Sequence, residues 1–162
     1  MSEPITRIKA PVKITFNVPA GRAASRFLTA IVEGRLVGQR CPSCHKVYVP
    51  PRGGCPTCAV PLAEDVTVKD TGVVTSFCIV NVPFEGQAMK LPYIYACIVL
   101  DGADLPIWHL VDGLPSTEAR MGLRVKAEWK PPAERTQSLE SIRYFVPSGE
   151  PDADYDSYKE HL

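Results

Sequence analysis

No run of 18 or more apolar residues occurs in this 162-residue chain. A helix needs about 20 such residues to cross a bilayer, so no membrane span is expected. Net charge is lacking too, since 18 Lys and Arg stand against 18 Asp and Glu. A balanced chain has no global field to hold a polyanion or an acidic membrane. The first residues, MSEPITRIKAPVKITFNVPAG, lack a charged start followed by an apolar block. No secretory signal is therefore expected, and the cytoplasm is the expected compartment. Histidines number only three, and no Ser-His-Asp or Cys-His set stands at a recognisable spacing. His109, after Trp108 in a β-prone run, is expected to be structural or interfacial. Cys78 and Cys97 lie in apolar strand-like runs, where a thiol is expected to fill core. No catalytic residue is assigned.

Cysteine is present in a pattern, and proline is abundant at 16 residues. The stretch RCPSCHKVYVPPRGGCPTC, residues 40–58, holds the pairs Cys41/Cys44 and Cys55/Cys58. A two-residue spacer lets both thiolates of a pair turn toward one centre, and two such knuckles supply a tetrahedral set. Pro42, Pro56 and Gly53-Gly54 are turn residues in or before the knuckles. Two disulfides or four unrelated buried thiols are the alternatives. Without a secretory signal, an intracellular structural metal site is the expectation. Zn²⁺ is the expected ion; a mononuclear iron, which would make the chain an electron carrier, also fits four thiolates. With four thiolates closing the shell, His45 is expected at the surface or behind the ligands.

Along the chain, residues 1–21 carry Pro4, Pro11, Pro19 and a partial alternation at Ile14, Phe16 and Val18. They read as an extended arm of the kind that orders on a partner. Residues 22–33 read as a helix of about three turns, with Ala24, Phe27, Leu28 and Ile31 on one stripe and Gly34 as its stop. A helix this short must pack on something. Its own chain is the first expectation, and Phe27 and Ile31 are candidate contacts if a partner takes that face. LVGQ before the first knuckle and Val47–Val49 between the knuckles read as short strands of a ribbon. Then Val66 and Val68, residues 73–82, 93–100, 106–111, 122–130 and 142–146 follow as short strands with no convincing helix. That pattern predicts a small closed barrel. The loop Phe84–Leu91, with Met89 and Lys90, is the candidate for touching a partner or a CoA phosphate. The last residues, SGEPDADYDSYKEHL, hold five acids against Lys159 and are expected to be mobile. Residues 1–40 carry seven Lys and Arg against two Glu, so the two ends could attract each other.

The fold class is thus mainly β: an N-terminal arm and helix (1–38), a four-cysteine ribbon (39–63), a five-stranded barrel (64–147) and an acidic tail (148–162). OB barrels and zinc ribbons both serve single-stranded nucleic-acid binding, which is the alternative function. Residues 65–147 hold eight cations against ten acids, whereas a phosphate-tracking groove needs a basic excess. Arg124, Lys126 and Lys130 on one strand face are the candidate basic patch.

The segments FLTAIVEGRLVGQRCPSCHKVYVPPRGGCPTC, DTGVVTSFCIVN, PYIYACIVLDG and GLRVKAEWK, taken in that order, carry a family resemblance. The chain resembles, over about residues 22–147, the acyl-CoA-associated OB-fold family with a rubredoxin-like zinc ribbon, a thiolase-associated domain of unknown function. The resemblance implies a closed structural zinc site and a non-catalytic accessory subunit. It implies as partner a thiolase-like enzyme (a lipid-transfer-protein-like thiolase or an aldolase) or an enoyl-CoA hydratase. Acyl-CoA processing in lipid or sterol side-chain metabolism would be the setting. Residues 1–33 depart most from the family pattern.

Overall fold

The computed structural model describes residues 4–10, 12–62 and 64–162. Residues 1–3 and Pro11 of the expected arm, and Ala63 at the expected end of the ribbon, lie outside the described residues. The helix α1 spans Gly21–Val32. Its end is a Schellman turn: the Gly34 amide donates to Ile31 O at 3.1 Å and the Arg35 amide to Ala30 O at 3.0 Å. That turn needs a left-handed residue after the C-cap, and Gly34 supplies it at φ +80°.

A three-stranded sheet follows, ordered β2-β1-β3 and antiparallel, from β1 Leu36–Arg40, β2 Val47–Tyr48 and β3 Glu64–Val68. The expected barrel boundary at residue 64 thus differs from the hydrogen bonding, which gives β3 to the ribbon's sheet. The barrel is closed and five-stranded, in the order β4-β5-β6-β8-β7. Its strands are β4 Thr71–Val80, β5 Tyr93–Leu100, β6 Pro106–Val111, β7 Arg124–Trp129 and β8 Ile142–Pro147. All pairs are antiparallel except β6 with β8, which meet in parallel at Val111 and Phe145. Closure removes most of the open edge that short strands would otherwise present.

One core joins all three parts. Phe27 and Ile31 of α1, Leu36, Val47 and Val68 of the ribbon sheet, and Val74, Ile98, Val125 and Phe145 of the barrel belong to the same buried cluster. Phe27 is 3% and Ile31 0% exposed. As candidate partner contacts they are therefore displaced: both side chains are spent holding the helix to its own chain. Burial of each contributes about 1.5–3 kcal/mol relative to exposure. Arg26 on the outer face of α1 adds an ion pair to Asp65 of β3 at 2.9 Å.

Two further expectations are corrected. Cys78 is exposed rather than core. A bulge between Val74 and Ser76 inserts Thr75, whose buried hydroxyl donates to Cys97 O at 3.3 Å. One extra residue swaps the faces of all that follows, so Cys78 turns outward while Cys97 stays buried. The acidic tail is tied down rather than mobile, and among the described residues its ties run to the barrel rather than to the basic N-terminal region. Arg120 holds Asp152 through two nitrogens at 2.6 and 2.9 Å, and Arg124 holds Glu150 at 2.9 Å. The Ala153 amide donates to Gly122 O at 2.8 Å, and Tyr158 is buried against Gly122.

Candidate functional site

The two knuckles are near copies of one another. The amide of His45 donates to Cys41 O at 3.0 Å, and that of Ala59 to Cys55 O at 2.9 Å. Cys41 N donates back to Lys46 O, and Cys55 N to Val60 O, each at 2.9 Å. His45 and Ala59 both take positive φ, 61° and 55°, which is what lets so short a turn close. His45 is exposed, at the surface rather than among the ligands.

These turns bring the sulfurs of Cys41, Cys44, Cys55 and Cys58 within 4.8 Å of one another. Thiolates bound at about 2.3 Å around a tetrahedral ion stand about 3.8 Å apart, and Cys44 Sγ to Cys55 Sγ is 3.8 Å. Amides of Ser43 and Cys44 point at Cys41 Sγ, and that of Cys58 at Cys55 Sγ, all at 3.4 Å. Such donors favour sulfur in its anionic form, so the donor set fits a soft dication. The Tyr48 hydroxyl lies 3.2 Å from Cys55 Sγ and lowers that thiol to about 6, while the same contact raises the phenol to about 12. For Cys44 the Lys46 amide acts downward, but burial and the other three sulfurs outweigh it and raise the thiol to about 11. Four protein thiolates leave no open coordination position, the mark of a structural site.

The polar neighbours tie this cluster to the rest of the chain. Gln39 is buried in β1; its amide N–H₂ donates to Asp65 at 3.2 Å and its oxygen accepts from Gly53 N at 3.0 Å. Asp104, on the β5–β6 turn, accepts from Val47 N at 2.7 Å and returns its own amide to Val47 O at 3.0 Å.

The second feature is a groove of about 610 Å³ on the outer surface of β5 and β6. Tyr95 and Trp108 form its floor, with ring centroids 5.5 Å apart and planes inclined by 20°. They remain 38% and 50% exposed. Val80, Met89 and Tyr93 contribute apolar walls, and Lys130, Glu140 and Arg143 the charged rim. A neighbouring depression of about 650 Å³ shares Met89, Tyr93, Leu110 and Arg143 and adds Lys90. Of the expected loop residues, Met89 and Lys90 therefore line the concave surface, and Phe84 is exposed on the same loop. Gln87 braces that loop, accepting from Phe84 N at 3.3 Å and donating to Met89 O at 2.8 Å.

Sequence reasoning missed Tyr95 and Trp108 as a pair. Their strand alternation was visible, but the diagonal pairing of β5 with β6 that stacks them was not. His109 is buried beneath the groove. Its Nδ1 accepts from Leu110 N at 2.9 Å and its Nε2 bonds Leu139 O at 3.3 Å. Burial holds its pKa below the ordinary histidine value, so the ring is a neutral structural wedge edge-on to Phe145. Arg124 of the candidate basic patch is taken up by Asp101, at 2.7 Å through two nitrogens, and by Glu150. Among the described residues no helix is long and apolar enough to cross a membrane.

Comparison with known proteins bears on both features. Residues 29–61 match the ChsH2 rubredoxin-like zinc ribbon domain, and residues 65–130 the ChsH2 C-terminal OB-fold domain. A probable enoyl-CoA hydratase alpha subunit of Thermomonospora curvata is 30% identical over 124 residues, 76% of this chain and 38% of that protein. The chain thus spans well under half of that relative's length. A DUF35 domain-containing scaffold protein of Methanocaldococcus jannaschii is 29% identical over 96 residues, 59% of this chain and 67% of the relative. Among solved structures, a chain of the Ltp2-ChsH2(DUF35) aldolase superposes with a TM-score of 0.61 at 25% identity, covering 81% of this chain and 99% of that one. A DUF35-family protein of unknown function from Sulfolobus solfataricus shares the fold, with a TM-score of 0.59 at 20% identity over 78% of this chain and 84% of that one.

Proposed function

Because the chain belongs to the ChsH2 family, a rubredoxin-like zinc ribbon joined to an OB-fold, we propose that it is a non-catalytic accessory subunit of an acyl-CoA-processing enzyme. The partner is a thiolase-like protein, of the lipid-transfer-protein-like thiolase or aldolase kind, or a hydratase. Lipid or sterol side-chain metabolism in the cytoplasm is the setting this reading carries. The observation that supports it most is the likeness to a whole chain, 99% covered, of the Ltp2-ChsH2(DUF35) aldolase. The scaffold protein among the relatives points the same way, and the hydratase alpha subunit supports only the acyl-CoA setting.

In this reading Cys41, Cys44, Cys55 and Cys58 hold one Zn²⁺. The ion, when bound, supplies a cross-link and no reaction. Its role is to fix the ribbon sheet, and through Asp104 and Gln39 to fix how helix and barrel face a partner. The groove floored by Tyr95 and Trp108, with Phe84, Met89 and Lys90 beside it, is the surface offered. Exposed aromatics in a concave setting rimmed by charged groups suit a protein hot spot or the acyl-CoA held at such an interface. The test is purification of the tagged full-length chain from its native host, with identification of any stoichiometric large subunit. Turnover of acyl-CoA by the single purified chain would overturn the reading.

The exposed Tyr95–Trp108 stack also favours a second reading, single-stranded nucleic-acid binding on the OB-fold face. Its cations are few, and Arg124 is already paired. Salt-dependent binding of an oligonucleotide, lost on replacing Trp108, would support that reading over the first.

A further inference from the structure

The arm ahead of α1 is the segment that the fold leaves unused. From Val12 to Val18 apolar and polar side chains alternate without a break: Val12, Ile14, Phe16 and Val18 on one edge, Lys13, Thr15 and Asn17 on the other. This is the period of a half-buried strand, yet residues 12–20 form no strand. The four apolar side chains are 70–79% exposed. Six large apolar side chains, counting Ile5 and Ile8, are left in water on one short segment, a pattern that marks an interaction surface.

The arm is also cationic, with Arg7, Lys9 and Lys13 and no acid between residues 4 and 20. Its ion pair, Lys9 with Glu85 at 3.7 Å between two highly exposed side chains, puts it beside the loop that bears exposed Val82 and Phe84. The groove of a second copy is a poor receiver, because its rim and its neighbour's are mixed in charge, Lys130, Arg143 and Lys90 against Glu140 and Asp112, and offer the arm no acidic surface. The zinc-ribbon family model matches from residue 29 onward, and the arm lies ahead of that match.

We propose that residues 12–18 dock as an added β-strand on the larger enzyme subunit. Val12, Ile14, Phe16 and Val18 fill an apolar cleft there, and Arg7, Lys9 and Lys13 face an acidic rim. Main-chain bonds to a sheet edge give such a strand its affinity, and alternate side chains its selectivity. Pro19, which lacks an N–H, ends it. This rests on the accessory-subunit reading and names the element by which the subunit selects its partner.

The probe is the large subunit recovered with the tagged full-length chain, purified and titrated calorimetrically. Ile14→Asp/Phe16→Asp is expected to weaken binding at least tenfold, and Thr15→Ser/Asn17→Ser to change it less than about twofold. Both variants should melt with the wild type, since the arm lies outside the core. Amides of residues 12–18 should gain hydrogen-exchange protection on binding. Equal affinity of wild type and Ile14→Asp/Phe16→Asp would overturn the arm's role and leave the accessory reading standing. A wild-type dimer that the same variant makes monomeric, with partner affinity unchanged, would assign the arm to a second copy and overturn it too. If no large subunit binds even the wild type, both inferences fall.

Discussion

Asp104 and Val47 exchange two hydrogen bonds across 57 residues of sequence, carboxylate to amide at 2.7 Å and amide to carbonyl at 3.0 Å. The pair latches β2, the strand between the knuckles, to the β5–β6 turn of the barrel. Val47 is buried, so its N–H has no water to fall back on. Asp104→Ala is expected to cost about 1–3 kcal/mol, the penalty for orphaning a buried donor. Asp104→Asn, which keeps an acceptor, should cost less. Urea denaturation of the two variants measures the difference, and equal losses would show the latch to be unimportant.

Replacing Cys55 by Ser is expected to remove both the metal and the ordered ribbon. Apparent binding energies of structural zinc sites are on the order of 10 kcal/mol, comparable to a small domain's whole stability. Elemental analysis of the wild type should give one zinc per chain and a colourless solution. A red protein containing iron would reassign the site to electron transfer. Full zinc in the Cys55→Ser variant would refute the ligand set.

Acid should loosen the tail and the β5–β6 turn together. Arg124 hydrogen bonds hold the Asp101 carboxyl below the usual carboxylate range, burial opposing them and the Thr71 hydroxyl assisting. Since the folded pKa is the lower one, its stabilisation is complete above the unfolded value of about 3.9. It is lost as pH falls past that value and through the folded one. Asp101→Asn should lower stability at neutral pH and flatten the acid limb of a stability-against-pH curve. An unchanged limb would exclude Asp101 as its source.

His109 sets a second, milder window. Its folded pKa is lowered by burial, against the Leu139 and Leu110 backbone bonds that act the other way. The unfolded chain therefore takes up a proton near about pH 6.5 that the folded chain refuses until lower pH. Stability should be full above that value and decline below it. His109→Gln, which can still donate to Leu139 O, is expected to abolish this step in denaturation curves taken either side of pH 6.5.

Tyr95→Ala and Trp108→Ala test the groove. Both side chains are half open to water, so the melting temperature should fall only slightly. Affinity for the large subunit should fall about tenfold or more if they form a hot spot. Unchanged affinity would move the interface elsewhere.

Much of this architecture was legible in the sequence, because its signals are local. The Cys-x-x-Cys spacing, the helical stripe ending at Gly34, and the period-2 runs from residue 93 onward each lie within a dozen residues. What was not legible depends on distant pairing. Thr75 carries no local mark of a bulge, yet it decides which way Cys78 points. Asp152 and Glu150 read as solvated charge until the fold sets Arg120 and Arg124 opposite them. The period-2 run around Val66 and Val68 gives no hint that β3 belongs to β1 rather than to the barrel. Phe27 and Ile31 show an apolar face but not what covers it.

The chain has two tryptophans, and the fold gives them different jobs. Trp108 lies open on the groove floor, while Trp129 lies under the Arg135 guanidinium, 5.4 Å from it, with its indole N–H on Asp70 at 3.0 Å. The molecule therefore carries two intrinsic optical probes at separate stations. Trp129→Phe would leave a single tryptophan, in the groove, whose emission reads occupancy there without any added label, and Trp108→Phe would leave one that reads the seating of Arg135, whose guanidinium packs against Gly34 at the end of α1.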